Sequence, residues 1–236
     1  EILIGLVGSE MCIRDRIKEA LDLRDRYGGT VDVIGFGPLS AEDVMKETLT
    51  YGIDDAFLIS DPQFADMDVS QVAKIVAAVI KKLGPYDLVL CGRQAIDGDS
   101  AHMVSMTSCA LEIPLIAYSD EITEMKDGSV FATCMGDQMA YKVEAKTPAM
   151  ILSIREKNKN RFPSVPDIMK TYDGTYKTKI LTNEDLNFSV TKRKVTQLRK
   201  YEVKSSKQQK LVMISGKDEE EKAAQVLQLL KQKSVI

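Results

Sequence analysis

Apolar side chains recur at helical spacing over residues 17–26, and Gly28–Gly29 follows as a natural stop, which predicts an amphipathic helix. Residues 30–36 (TVDVIGF) then read as a strand closed by the turn Gly37–Pro38. Ser40 stands where an N-cap belongs, with Asp43 one turn on, and a helix is predicted over 41–51 until Gly52 breaks it. A short apolar strand follows at 56–60, and an alanine- and isoleucine-rich helix at 69–83 ends in Gly84–Pro85. Residues 87–91 (DLVLC) are apolar almost throughout, as a strand buried on both faces of a parallel sheet should be. A helix at about 101–111 and a strand at 115–119 continue the alternation. Strands and helices that alternate in this way predict an α/β fold with a doubly wound, mostly parallel sheet.

The period changes near Asp120. Residues 121–125, 130–135 and 139–144 read as short antiparallel strands, with turns at Asp127–Gly128 and Gly136–Asp137, and 149–154 returns to an apolar strand. A polar stretch with prolines, 155–173, leads into a basic segment that runs to about Lys210. The last signal is a helix reaching Lys233, with an acidic first turn at 218–221 that suits the helix dipole. The expected organisation is an α/β domain over 17–154, a loop at 155–173, and a C-terminal arm and helix over 174–236.

Charge and cysteine usage narrow the classes of function. With 32 basic against 35 acidic residues, the net charge of -3 provides no general attraction for nucleic acid. The basic segment 191–210 carries only Tyr201 as an interleaved aromatic, so a solvated arm or subunit contact is expected there. No apolar run is long enough for membrane insertion. Cys12, Cys91, Cys109 and Cys134 lack zinc or dithiol spacing, which fits a reducing, cytoplasmic setting, and Cys91 and Cys109 are expected to be buried thiols.

The stretch 91–102 (CGRQAIDGDSAH) could carry chemistry, because it leaves the carboxyl end of a buried strand and enters a helix, where open α/β sheets place ligands. Gly92 and Gly98 permit close backbone approach, Ser100 is a candidate cap, and N–H groups at a helix start suit phosphate. The plainer reading is a βα loop with glycine and aspartate for turn chemistry. The aspartates would repel a phosphate unless they turn away, cap the helix or meet ribose hydroxyls. His102 is the single histidine; nothing gives Ser100, His102 and Asp97 triad roles, so no catalytic residue and no metal ligand is expected.

The loop Cys91–Ser100 resembles the nucleotide-binding loop of electron-transfer flavoprotein β subunits, which reads G-[KR]-Q-A-I-D-[DG]-D. Residues 28–60, the run RFPSVPDIMK at 161–170 and the ending 216–236 are similar to the same family, in the family's order. The resemblance implies an adenine-nucleotide-binding, Rossmann-like fold with a C-terminal arm on a larger α subunit. It implies FAD held with that subunit, and either AMP or a second FAD in the β chain. Gly92, Gln94, Ala95, Asp97, Gly98, Asp99 and Ser100 match the nucleotide loop, Ala101, His102 and Met103 follow it, and Phe36 and Gly37 align with the turn beside the adenosine. Gly98 in D-G-D-S leans toward the FAD-holding, electron-bifurcating branch that exchanges electrons with NADH, whereas D-D-D leans toward AMP. Val104 stands where relatives carry glycine, and its side chain is expected to crowd a pyrophosphate. By the same resemblance Val165, Pro166, Ile168 and Met169 form the loop and short helix that dock on flavin-dependent dehydrogenases, with Val165 at an anchor position usually held by leucine.

Residues 1–16 depart from the family pattern. Residues 6–16 resemble translated adapter read-through, so this start is expected not to be the natural one, and 2–7 to mimic a strand it replaces. The function implied is an electron-carrier subunit, not a classical enzyme, because the cofactor performs the chemistry. A stand-alone nucleotide-binding module of the stress-protein type is the alternative, and it leaves the VPDIMK run and the arm unexplained. An adenylating enzyme would need an S-G-G-x-D-S-like or histidine-glycine signature, and neither is present.

Overall fold

The structure, a computed structural model, describes residues 2–6, 10–65, 67–92, 102–154, 161–189 and 213–233, with backbone alone for 2–13. Two compact units are separated at Val195/Thr196.

In the first unit the sheet is built on strands buried from both sides. β4 (Leu88–Gly92) and β8 (Ala149–Ser153) are buried at every position. β1 (Ile2–Leu6) pairs in parallel with β4 on one side and with β2 (Val31–Phe36) on the other, and β2 pairs in parallel with β3 (Asp55–Ile59). β4 pairs in parallel with β8, and β8 with the start of β5 (Leu115–Lys126). β6 (Ser129–Met135) and β7 (Ala140–Lys146) follow as antiparallel neighbours, and β9 (Lys179–Leu181) closes the opposite edge on β3. Across the sheet the order is β7-β6-β5-β8-β4-β1-β2-β3-β9. This is the doubly wound, mostly parallel α/β architecture that the sequence predicts, with its small antiparallel addition.

Alternate residues of each buried strand feed two cores. Leu88 and Leu90 of β4 join Val31 and Val33 of β2 beneath α1 (Glu10–Tyr27) and α2 (Glu42–Leu49). Val89 and Cys91 join Ile34, Met150 and Leu152 beneath α3 (Val69–Leu83) and α4 (Met103–Leu111). Asp68 and Gln71 close the start of α3 in a reciprocal capping box, with both N–H···O distances at 3.0–3.1 Å.

The structure differs from the sequence reading at several element ends. α1 begins at Glu10 rather than near residue 17, since 10–16 contains no glycine or proline and the buried pair Arg16–Glu19, 2.8 Å apart, ties its second turn. Ser40 does not cap α2. It sits inside a 3-10 turn, Leu39–Ala41, which Pro38 opens by accepting from Ala41 N–H at 2.9 Å. Residues 115–119 and 121–125 form one strand that changes partner through irregular register, with Tyr118 at φ +54°. Cys109 is exposed on α4, whereas Cys91 and Cys134 are buried. Residues 179–186, read as part of the arm, supply β9 and the short α6 (Asn183–Leu186).

Between β8 and β9 lies α5 (Val165–Tyr172), capped by Ser164, whose Oγ accepts from Asp167 N–H at 3.2 Å. It packs on α2 around Gly52, where φ is +82° and an added Cβ would stand 3.1 Å from Asp167 Oδ2. The second unit, described over 213–233, is α7 (Glu219–Gln232), whose N-cap Asp218 accepts from Glu221 N–H at 2.8 Å. None of its described residues is buried. No described helix is long and apolar enough to cross a membrane.

Gly52 therefore ends α2 and receives α5. We expect Gly52→Ala to destabilise the fold by about 1–2 kcal/mol, the cost of a left-handed conformation for a residue with a Cβ. Urea denaturation midpoints compared with the unaltered protein check this, with Gly37→Ala as a control within about 0.5 kcal/mol.

Candidate functional site

Parallel strands that share a direction bring their carboxyl ends to one edge of the sheet. Phe36 at the end of β2 and Ile59 at the end of β3 lie side by side in register there. Beyond them opens a cleft of about 530 Å³, lined by Phe36, Gly37, Pro38, Leu39, Ser60, Asp61 and Phe64 among others. That size falls in the range of small-molecule sites, as does a mainly apolar lining with a few convergent polar groups.

The aromatic wall of the cleft is fixed from behind. Phe64 is 4% exposed and stacks on Phe36, with ring centroids 6.1 Å apart and planes 25° from parallel. Phe64 is held in a 3-10 turn, Pro62–Phe64, whose N-cap Asp61 accepts from Gln63 N–H at 2.8 Å. The other Asp61 oxygen accepts from Asn183 N–H at 3.0 Å, so α6 braces the cleft. α6 is closed in turn by Thr182 N–H donating to Asp185 Oδ2 at 2.8 Å, and that bond holds the Asp185 carboxyl below its ordinary value. Gly37 has no positive φ, and an added Cβ would meet only Ala41 Cβ at 3.6 Å. Backbone geometry therefore does not require glycine at this position.

β4 ends at Gly92 on the same edge, one strand of β1 away from β2, so the two are separated by about 10 Å at the usual strand spacing. Residues 93–101 (Gln94, Ala95, Asp97, Gly98, Asp99, Ser100 and Ala101 among them) lie outside the described residues. The chain resumes at His102, which is exposed and flanks α4 without a side-chain cap. Its carbonyl accepts from Met106 N–H and Ser105 Oγ, each at 3.0 Å. The first N–H groups of a helix have no partner within it, so this start suits a ligand oxygen. Val104 does not crowd that start. It is 6% exposed and packed in the core with Cys91 and Leu152, and Met103 packs against the same cluster.

On the opposite side of β4, Gly92, Ser153, Ser119 and Cys134 occupy one row across β4, β8, β5 and β6. The Ser119 and Ser153 hydroxyls are buried and lack hydrogen-bond partners among the described residues. Burial raises the Cys134 thiol pKa, so it stays protonated. No group of acidic, histidine or cysteine side chains among the described residues could hold a metal ion.

The residues that the resemblance marks for docking gather elsewhere, on α5. Val165 is 70% exposed and Met169 64%, with Pro166 and Ile168 also at the surface. Sequence reasoning missed Tyr172, 66% exposed, which extends the same stripe, and Phe162, 81% exposed, just before the helix. The i, i+4, i+7 spacing of Val165, Met169 and Tyr172 was the signal for the stripe. It also missed Ser60, Asp61 and Phe64. Their signal was the end of the neighbouring strand at Ser60, where the same carboxyl-edge rule applies.

The electron transfer flavoprotein domain profile matches residues 14–180. The chain is 37% identical to an electron transfer flavoprotein subunit beta of Thermoanaerobacterium thermosaccharolyticum over 73% of its length and 65% of the relative's. A subunit of the same name from Clostridium acetobutylicum is 34% identical over 94% of this chain and 85% of its own. The CarD subunit of the caffeyl-CoA reductase-Etf complex of Acetobacterium woodii is 35% identical over 73% and 65%.

The contrast between the thiols is directly measurable. Iodoacetamide should label Cys109 in the native protein, while Cys134 and Cys91 react only after unfolding. Mass mapping of native against denatured protein reads this out, and early labelling of Cys134 would contradict its burial.

Proposed function

The chain belongs to the electron transfer flavoprotein family, and on that premise we propose that it is the β-type subunit of a two-chain electron carrier. In this reading it holds an adenine nucleotide along the carboxyl edge of the sheet. The observation that carries it is the aromatic cleft at the ends of β2 and β3, facing the edge on which β4 ends and α4 begins.

The residues present fit such a ligand. Phe36 offers a ring face backed by Phe64, Gly37 leaves room for close approach, and Asp61 is braced in place. Val104 turned into the core leaves the start of α4 clear for phosphate oxygens. The sequence Asp97-Gly98-Asp99-Ser100 favours a second FAD over AMP. A bound flavin supplies the redox chemistry, and the chain's own residues bind it and exclude water. The same reading assigns the arm and α7, whose Val226 and Leu227 are exposed, to the larger subunit, and the α5 stripe to flavin-dependent dehydrogenases. Electron exchange with NADH belongs to it only in the two-flavin form.

The test is to co-express the chain with a larger subunit of the same family, denature the purified pair and quantify released nucleotides by chromatography. Two flavins per pair identify FAD as the ligand here, and one flavin with one AMP identifies AMP. A pair that releases no nucleotide beyond one flavin, or a chain that is stable and monomeric alone, overturns the proposal. Phe36→Ala should weaken this chain's affinity for its nucleotide about 5- to 150-fold, as loss of a stacking face worth about 1–3 kcal/mol implies.

A further inference from the structure

The family profile ends at residue 180, but the chain keeps its hold on the sheet beyond that point. β9 pairs in parallel with β3, and Ser60 N–H donates to the Leu181 carbonyl at 3.0 Å. At the start of β9, Lys179 Nζ lies 2.6 Å from Asp55 Oδ1 and 5.0 Å from the centroid of the Phe57 ring. Leu181, Leu186 and Phe188 pack against the core beneath α3 and α4, and Lys82 Nζ donates to the Asp185 carbonyl. α6 is also bonded to the turn at the cleft. Asn183 N–H donates to Asp61 Oδ2 at 3.0 Å, and Asn183 Nδ2 to Gln63 Oε1 at 3.2 Å.

Asp61 is thereby fixed from two directions. Its Oδ1 accepts from Gln63 N–H at 2.8 Å, a bond inside its own turn, whereas Asn183 lies 122 residues along the chain. The turn that Asp61 opens, Pro62–Phe64, is a single 3-10 turn, and one turn of helix does not hold itself in water. Its shape therefore depends on what is tied to it from outside. Phe64 is the residue this turn delivers: it is buried and stacks on Phe36, which lines the cleft.

We propose that residues 179–188 are part of the nucleotide cleft, with the Asn183 N–H as its positioning group. The inference rests on the adenine-nucleotide reading above and adds a residue outside the cleft lining. Asn183 holds Asp61, Asp61 holds the turn, and the turn holds Phe64, which sets the ring face that Phe36 presents to the base. With that chain of contacts intact, the ligand meets a wall already in its bound arrangement and does not have to order it. By reciprocity, a bound nucleotide steadies the same contacts.

The test uses the co-expressed pair freed of this chain's nucleotide and titrated calorimetrically with AMP, or with FAD if two flavins are released per pair. Asn183→Pro deletes the N–H at the first position of α6, where proline is tolerated. Thr182 before it is already extended, at φ -104° and ψ 176°, as a residue preceding proline must be. Asn183→Ala keeps the N–H and loses only the side-chain bonds to Gln63 and Phe188. The nucleotide should bind Asn183→Pro about three- to thirtyfold more weakly than Asn183→Ala, a coupling usual between residues of one network. On a Phe36→Ala background that difference should vanish, which a general loss of fold stability would not produce.

If the two Asn183 variants bind equally, or their difference persists without the Phe36 ring, the positioning role fails, and the cleft reading is left to Phe36→Ala alone. If the unaltered pair takes up neither AMP nor FAD at this chain, the cleft reading fails and this inference with it. Should Asn183→Pro not fold, amide exchange in the unaltered pair decides. The nucleotide should slow exchange at Asn183 and Phe188 at least about threefold, and unchanged exchange there overturns the inference.

Discussion

The backbone hydrogen bonding of β4 between β1 and β8 is the constraint on which the rest depends. A strand paired in parallel on both sides and buried at every residue has no exposed face, so it must be read as a continuous apolar run. Parallel neighbours also cannot be joined by a tight hairpin. Each return crosses a face of the sheet, and α1, α2, α3 and α4 are those crossings. Their packing fills both cores, and the strand ends β1 to β4 emerge at a single edge. The cleft, Gly92 and the start of α4 share that edge because the pairing leaves them no other place.

That constraint also explains how much was legible. α3 is apolar at helical period between a capping Asp68 and Gly84, so its bounds could be read from the sequence. β2 and β4 were legible because burial on two faces leaves a compositional mark. α1's start was not, since Arg14 and Arg16 look like solvated residues until Glu47 and Glu19 are placed beside them. β9 has only three residues, Lys179–Leu181, and earns its place by pairing with β3, a long-range contact with no local periodicity.

The site was legible unevenly for the same reason. Phe36 and Gly37 entered the expected site through the resemblance, and the strand end followed by Gly–Pro is a local signal of the turn they occupy. Phe64 could not, since its role comes from stacking on a residue far away in sequence. Val104 shows the reverse error. A side chain larger than glycine at a helix start looks obstructive in a sequence, but helix phase decides where it points, and here it points into the core. Cys109 has the same cause with the opposite sign: an apolar neighbourhood in sequence does not fix the face on which a helical residue lies.

One element joins the two regions that carry function in this reading. The turn that opens α2 contributes Pro38 and Leu39 to the cleft, and Met45, one turn into the helix, packs under Gly35 of β2, where an added Cβ would stand 2.5 Å from its sulfur. At the other end Gly52 receives α5, and Lys46 covers Tyr172. α2 is eight residues long, about 12 Å at 1.5 Å per residue, and is too short to bend appreciably. A carrier has to hold its cofactor still while it meets different proteins. In the proposed reading, one short, packed helix fixes the cleft near one end and the exposed α5 stripe near the other, which meets that need.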